Sequence, residues 1–139
     1  MSRGTLNNIL YVEDDADIRM VAQLALEAVG GFNVRLCGSG QEALAAIGDG
    51  YRPDLLLLDV MMPGMDGPST LAELRRLPAT AATPAAFMTA KVQAGEIAHY
   101  RSLGALGVIA KPFDPMQLAQ QVRALWAQED PGGRETSDA

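Results

Sequence analysis

The chain has 139 residues, 48% of them hydrophobic, enough for one compact domain with its own core and too few for a second. Its net charge is −6 and no basic stripe appears, so its field repels phosphate backbones and argues against direct nucleic-acid binding. Cys37 is the single cysteine, Met1 to Asn8 is polar rather than signal-like, and no apolar run approaches membrane-spanning length; these features predict a cytoplasmic protein with no disulfide and no membrane insertion, and with Cys37 a small buried residue.

Ile9 to Val12 is a short apolar run ending in Glu13-Asp14-Asp15, which reads as a first strand. Asp17 to Val29 has helical spacing, with Ile18, Val21, Ala22, Ala25 and Ala28 as its core face and Gly30-Gly31 as its stop. Met20 and Leu24, one turn apart, should then point outward. Phe32 to Cys37 is a second strand, and Ser39 with Glu42 forms a capping box that opens a helix to about Ile47. Leu55 to Leu58 is a fully apolar third strand that ends in Asp59 and breaks at Val60-Met61-Met62-Pro63-Gly64. Gly67-Pro68 opens a helix to about Leu77, Ala85 to Thr89 is a fourth strand, and Gln93 to Leu103 is a helix stopped by Gly104. Val108 to Ala110 is the fifth strand, ending in Lys111-Pro112-Phe113. Asp114 as cap and Pro115 at the first position open the last helix, with Leu118, Val122, Leu125 and Trp126 on one face. The polar stretch 129–139 is expected to be a disordered tail, leaving residues 1–128 as the domain with a core of about 9–126. Five strand–helix units in series predict an α/β fold: a five-stranded parallel sheet, doubly wound, with helices on both faces.

Parallel strands end on one edge, and in such sheets that edge binds ligands. Glu13 and Asp14 follow the first strand, Asp59 ends the third, Thr89 ends the fourth and Lys111 follows the fifth. Three carboxylates brought together repel one another unless a hard cation neutralises them, and all-oxygen ligands suit Mg²⁺ or Mn²⁺. Asp15 and Asp17 fit the ordinary role of carboxylates at a helix start. His99 reads as a surface residue rather than a phosphate carrier. Met61, Met62 and Met65 read as local packing, and Arg75-Arg76 and Arg101 as solvated helix faces.

The segments Val12-Glu13-Asp14-Asp15, Leu58-Asp59-Val60-Met61-Met62-Pro63-Gly64-Met65-Asp66-Gly67, Met88-Thr89-Ala90 and Ala110-Lys111-Pro112-Phe113, in that order, resemble the receiver domain of bacterial two-component response regulators, the CheY-like family, from about Ile9 to Trp126. The resemblance implies a flavodoxin-like sheet of order 2-1-3-4-5 and a phosphorelay function. It implies that Asp59 is the phosphorylated nucleophile, with Mg²⁺ (or Mn²⁺) held by Asp14, Asp59, the backbone carbonyl of Met61 and Glu13 through water. Lys111 and Thr89 would contact the phosphoryl group, and Thr89 would also serve as the switch. The donor would be a histidine kinase or a histidine phosphotransfer protein, docked across the first helix at Met20 and Leu24. Family members hold the bond before Pro112 in cis. Val108 departs from the pattern, since many receivers place there an aromatic ring that swings inward; valine cannot make that movement. No DNA-binding output domain is expected after Trp126, so signalling is expected to proceed by protein binding or by onward transfer. Beyond its own phosphorylation and dephosphorylation, no enzymatic activity is expected.

Two rivals share parts of this pattern. A haloacid dehalogenase-like phosphatase would use Asp15-Ala16-Asp17 as its nucleophile motif, and a receiver-like interaction module would have no phosphotransfer. A dinucleotide- or flavin-binding enzyme is excluded because the first strand–helix turn has carboxylates where a phosphate cradle needs glycines.

Overall fold

The computed structural model describes residues 4–128, so the expected tail lies outside the described residues. Five parallel strands, β1 (Asn8–Val12), β2 (Asn33–Cys37), β3 (Leu55–Asp59), β4 (Ala85–Thr89) and β5 (Val108–Ala110), form one sheet in the order β2-β1-β3-β4-β5. This is the implied topology. Five α-helices connect and follow them: α1 (Ala16–Leu24), α2 (Gly40–Gly48), α3 (Gly67–Arg75), α4 (Ala94–Ser102) and α5 (Leu118–Ala127).

Strand residues alternate between two cores, as the pleat requires. Ile9, Tyr11, Leu55, Leu57, Ala86, Met88 and Ile109 face α1 and α5, where Ala22, Ala25, Leu26, Leu118, Ala119 and Val122 close the layer. Leu10, Val12, Leu56, Leu58, Ala85 and Phe87 face the other helices, packing on Ala43, Ala46, Ile47, Leu71 and Leu74, with Tyr100 of α4 and Val108 partly buried against them. Cys37 is buried in this second core, and burial pushes its thiol up to about 11, so it stays protonated as a small apolar residue.

Helix ends follow the chemistry read from the sequence, with corrections. The Asp15 carboxylate caps α1 by accepting from the amides of Asp17 (2.9 Å) and Ile18 (3.1 Å). Ser39 caps α2 by accepting from Glu42 N–H, but the Glu42 carboxylate reaches back to Gly38 N–H at 2.8 Å rather than to the cap residue's own amide. Asp66 caps α3 through Ser69 N–H. The third helix stops at Arg75 and is followed by a short 3₁₀ turn, Pro78–Thr80. Arg75 is half-buried and donates to the carbonyls of Thr80 (2.9 Å) and Thr83, so it ties down the loop after α3 instead of lying on a solvated face. The last α-helix begins at Leu118, not at Pro115: residues 115–117 form a turn in which Asp114 accepts from Met116 N–H.

The first helix departs most from expectation. After Leu24 it widens into a π turn, Ala25–Val29, and the extra residue per turn rotates the face that follows. Leu26, four residues after Ala22 and on its face, is fully buried and Ala28 is exposed, the reverse of the core face read from the sequence, while Val21 is 41% exposed at the helix rim. Gly31 ends the segment at φ +75°, where a side chain would be strained; Gly30 is needed for space, since a Cβ there would sit 2.7 Å from the Cβ of Ala119 on α5.

Candidate functional site

Register brings the polar residues to one edge. Val12 pairs with Leu58, Asp59 with Met88 and Thr89 with Ala110, so Glu13, Asp59, Thr89 and Lys111 stand on four neighbouring strand ends. The peptide between Lys111 and Pro112 is cis, as the resemblance implied. Lys111 N–H donates to the Thr89 carbonyl at 2.9 Å, which joins the ends of β4 and β5. Gly67 lets α3 start against β3: a Cβ there would meet the Asp59 carbonyl oxygen and lie 2.9 Å from Val60 Cα.

Within this edge the Lys111 ammonium bridges two carboxylates, Glu13 Oε1 at 2.9 Å and Asp59 Oδ1 at 3.0 Å. Glu13 and Asp59 are both buried, whereas Asp14 is exposed. One carboxylate oxygen from each of Glu13, Asp14 and Asp59 can lie within 4.8 Å of the others, a spacing at which a single cation can be shared. The second oxygen of Asp59, Oδ2, is buried with no hydrogen-bond partner. A buried carboxylate oxygen without a donor is costly, and a cation or an incoming electrophile relieves it. Three hard oxygen donors around such an atom fit Mg²⁺ or Mn²⁺.

Burial raises the pKa of both Glu13 and Asp59 against the opposing pull of Lys111. Burial alone would lower Lys111, but its hydrogen bonds to Glu13 and Asp59 outweigh it and hold the ammonium above its ordinary range. The lysine is therefore a fixed positive charge. Thr89 is buried, and its oxygen accepts from Lys91 N–H at 3.1 Å, which leaves the hydroxyl proton to donate elsewhere.

Other expected residues lie around this centre. Met20 and Leu24 are each 61% exposed on α1, as read. Val108, half-buried at the start of β5, pairs with Phe87, whose ring packs on Tyr100 of α4 at 5.0 Å between centroids. His99 is exposed, as read. Met62 is buried and Met65 half-buried, but Met61 is 78% exposed and is not a packing residue: it starts the loop after β3, where the chain leaves the sheet. Asp15 is occupied as the cap of α1 and Asp17 is exposed beyond it, so this pair does not form a nucleophile motif.

Two residues of the site escaped the sequence reading. Arg19 donates from Nη1 to the backbone carbonyls of Glu13 (2.7 Å) and Asp14 (3.4 Å), bracing the acidic loop from within α1. Nothing local marks that contact, because it depends on how α1 folds back. Tyr11 is fully buried beneath the pocket, and its hydroxyl points to Glu13 Oε1 at 3.5 Å. Strand alternation could have found it, since residues two apart share a face.

The chain matches the family described as the response regulator receiver domain over residues 9–123. It is 37% identical over 122 residues to the DNA-binding response regulator MtrA of Mycolicibacterium paratuberculosis, covering 88% of this chain and 52% of that protein. It is 38% identical over 120 residues to the transcriptional regulatory protein CpxR of Escherichia coli, covering 86% and 49% respectively. The chain thus spans about half the length of these curated relatives. Among solved structures, the chemotaxis protein CheY4 of Vibrio cholerae superposes with a TM-score of 0.78 at 27% identity, covering 87% of this chain and 99% of that one. A response regulator from Chloroflexus aurantiacus gives 0.76 at 32% identity, covering 89% and 100%. No helix among the described residues is long and apolar enough to cross a membrane. Because the family match runs through all five strands and every polar residue of the pocket, this chain belongs to the response regulator receiver domain family.

Proposed function

We propose that this receiver is a phosphoacceptor whose nucleophile is Asp59. The observation that carries the reading is the asymmetry of that carboxylate: one oxygen is ion-paired to Lys111 and the other is buried without a partner beside two further carboxylates. An oxygen of Asp59 attacks phosphorus on a phosphohistidine. A P–O bond forms as the P–N bond breaks, and the imidazole nitrogen keeps the bonding pair and takes a proton from solvent. Asp14, Asp59, the backbone carbonyl of Met61 and, through water, Glu13 would hold a divalent cation; receiver domains bind Mg²⁺, and when bound the ion offsets negative charge on the phosphoryl oxygens. Lys111 offsets the remainder, and the free hydroxyl proton of Thr89 is available to bond the phosphoryl group, drawing the loop after β4 inward. The chain does no chemistry beyond its own phosphorylation and dephosphorylation.

The donor is a histidine kinase or a histidine phosphotransfer protein. Its helical surface would lie on Met20 and Leu24 of α1, next to a hollow of about 250 Å³ lined by Ile18, Val21, Pro112 and Phe113. Output proceeds by partner binding or by passing the phosphoryl group on, without an aromatic rotamer at Val108. Binding to DNA is a property named for the longer relatives.

Acetyl phosphate with Mg²⁺ tests the reading directly. Intact mass should show one added phosphoryl group, absent in Asp59→Asn and absent with EDTA. Retention of the group in either condition overturns the assignment.

A further inference from the structure

We infer that Tyr11 is a positioning residue of this pocket, a reserve donor whose buried hydroxyl takes over the Glu13 carboxylate when Lys111 is drawn to a phosphoryl group on Asp59. The inference rests on the phosphoacceptor reading above and extends it to a residue beneath the site. Glu13 Oε1 faces two donors at once: Lys111 Nζ at 2.9 Å and the Tyr11 hydroxyl at 3.5 Å. The second distance is at the limit of a useful hydrogen bond, so in this state the ammonium holds the oxygen and the phenol waits. Lys111 also lies 3.0 Å from Asp59 Oδ1, where phosphorylation would place new negative charge. As the ammonium is attracted there, Glu13 is left buried with a weakened counter-charge, and the remaining contact of its carboxylate is the Asp15 amide on Oε2 at 3.1 Å. A charge-assisted bond from a hydroxyl is short and strong, roughly 2.5–2.7 Å, and the Glu13 carboxylate, once released by Lys111, and the phenol need to close by about 0.8–1 Å to make one.

The position of Tyr11 supports a polar purpose. Its ring is fully buried among Ile9, Leu57 and Met88, a place that phenylalanine would fill equally well, and buried tyrosine hydroxyls usually have a partner. Neighbours hold the ring in place, so the hydroxyl is pre-aimed. Tyr11 never meets the phosphoryl group; it acts through Glu13.

Beryllofluoride, an inorganic mimic of a phosphoryl group on aspartate, is the probe. Tyr11→Phe should bind beryllofluoride with Mg²⁺ about fivefold more weakly than the parent, the size of one ordinary hydrogen bond, with its Mg²⁺ affinity in the absence of beryllofluoride unchanged. Equal loss in both affinities would make Tyr11 a general support of the pocket and overturn the inference, as would loss in neither. A parent that binds no beryllofluoride overturns the phosphoacceptor reading and this inference together. A second measurement does not depend on that variant folding. The chain has three tyrosines, so Tyr51→Phe/Tyr100→Phe labelled with fluorotyrosine reports Tyr11 alone by fluorine NMR. Its line should move when beryllofluoride is added to the Mg²⁺-loaded protein, and Lys111→Met should move it the same way without beryllofluoride. A line left in place by either change overturns the inference.

Discussion

Asp59 is buried with like-charged neighbours, and its stability cost follows from that placement. Burial raises the folded-state pKa of Asp59 and Glu13 above their unfolded values, so between the two values the folded protein binds more protons than the unfolded chain. Without a divalent cation, the contribution of these two groups to stability is then greatest below the ordinary carboxylate range and is lost as pH rises through the raised values. Asp59→Asn removes one of these charges while keeping an oxygen for Lys111. In EDTA near neutral pH it should be more stable than the parent by about 1–2 kcal/mol, a gain of a few degrees that shrinks as pH approaches about 4 in thermal melts. A less stable variant, or a gain that does not change with pH, would contradict the charge account. A second residue-scale expectation concerns phosphoryl lifetime. Hydrolysis needs a positioned water, and Met61 and Lys91, two positions beyond Asp59 and Thr89, are both exposed and supply neither an acid nor an amide to hold one. The phosphorylated parent should decay slowly, and Met61→Asn/Lys91→Glu should speed decay by roughly tenfold, below the usual contribution of a fully positioned acid–base group. An unchanged or slower decay in the variant would remove these positions from the water path.

At the scale of elements, α1 is asked to do two things. Its inner side packs on the sheet through Ala22, continued within the π turn by Ala25 and Leu26, while Met20, Val21 and Leu24 are left in solvent. Single exposed apolar residues need no explanation, but these three lie on the helix that starts at the acidic pocket. Met20→Ala/Leu24→Ala should lower phosphotransfer from the cognate histidine protein by about tenfold or more, as loss of interface anchors does, through faster dissociation. Acetyl phosphate labelling and folding stability should be unaffected. Loss of both phosphorylation routes would mean that the pocket had been damaged, and loss of neither would place the partner elsewhere.

Over the whole molecule, the pocket links strands far apart in sequence: Glu13 and Lys111 are 98 residues apart, Asp59 and Lys111 52. A cation that binds only the folded arrangement stabilises all of it together. Mg²⁺ at a hundredfold excess over its dissociation constant should add about 2.7 kcal/mol to unfolding, measured as a concentration-dependent rise in melting temperature. Asp14→Asn should remove most of that rise, because Asp14 is the exposed carboxylate of the three and is not ion-paired to Lys111. A rise that survives Asp14→Asn would place the cation elsewhere.

The local signals in the sequence were sufficient for the elements and for the chemistry of the edge. Leucine runs bounded by turns marked buried strands, side-chain oxygens marked the starts of α1 and α2 and a Gly-Pro step that of α3, and carboxylates, a threonine and a lysine at strand ends marked one site, because parallel strands must end together. Those features depend on residues a few positions apart. What depended on the fold is misread or missed: the sequence pattern puts Ala28 on the core face where Leu26 is buried and a π turn follows Leu24, it leaves Arg75 solvated where it folds back onto the Thr80–Thr83 loop, and Arg19 bracing the Glu13 carbonyl and the Tyr11 hydroxyl under Glu13 go unread. Periodicity assumes a regular helix, and composition treats an arginine as solvated; packing overrides both where a helix must close on a sheet. The partition of the pocket was likewise a tertiary outcome. Strand-end placement by itself left the three carboxylates unranked, whereas burial and a single lysine made Glu13 the one partnered on both oxygens, Asp14 the open one, and Asp59 the one ion-paired on one oxygen with the other to spare.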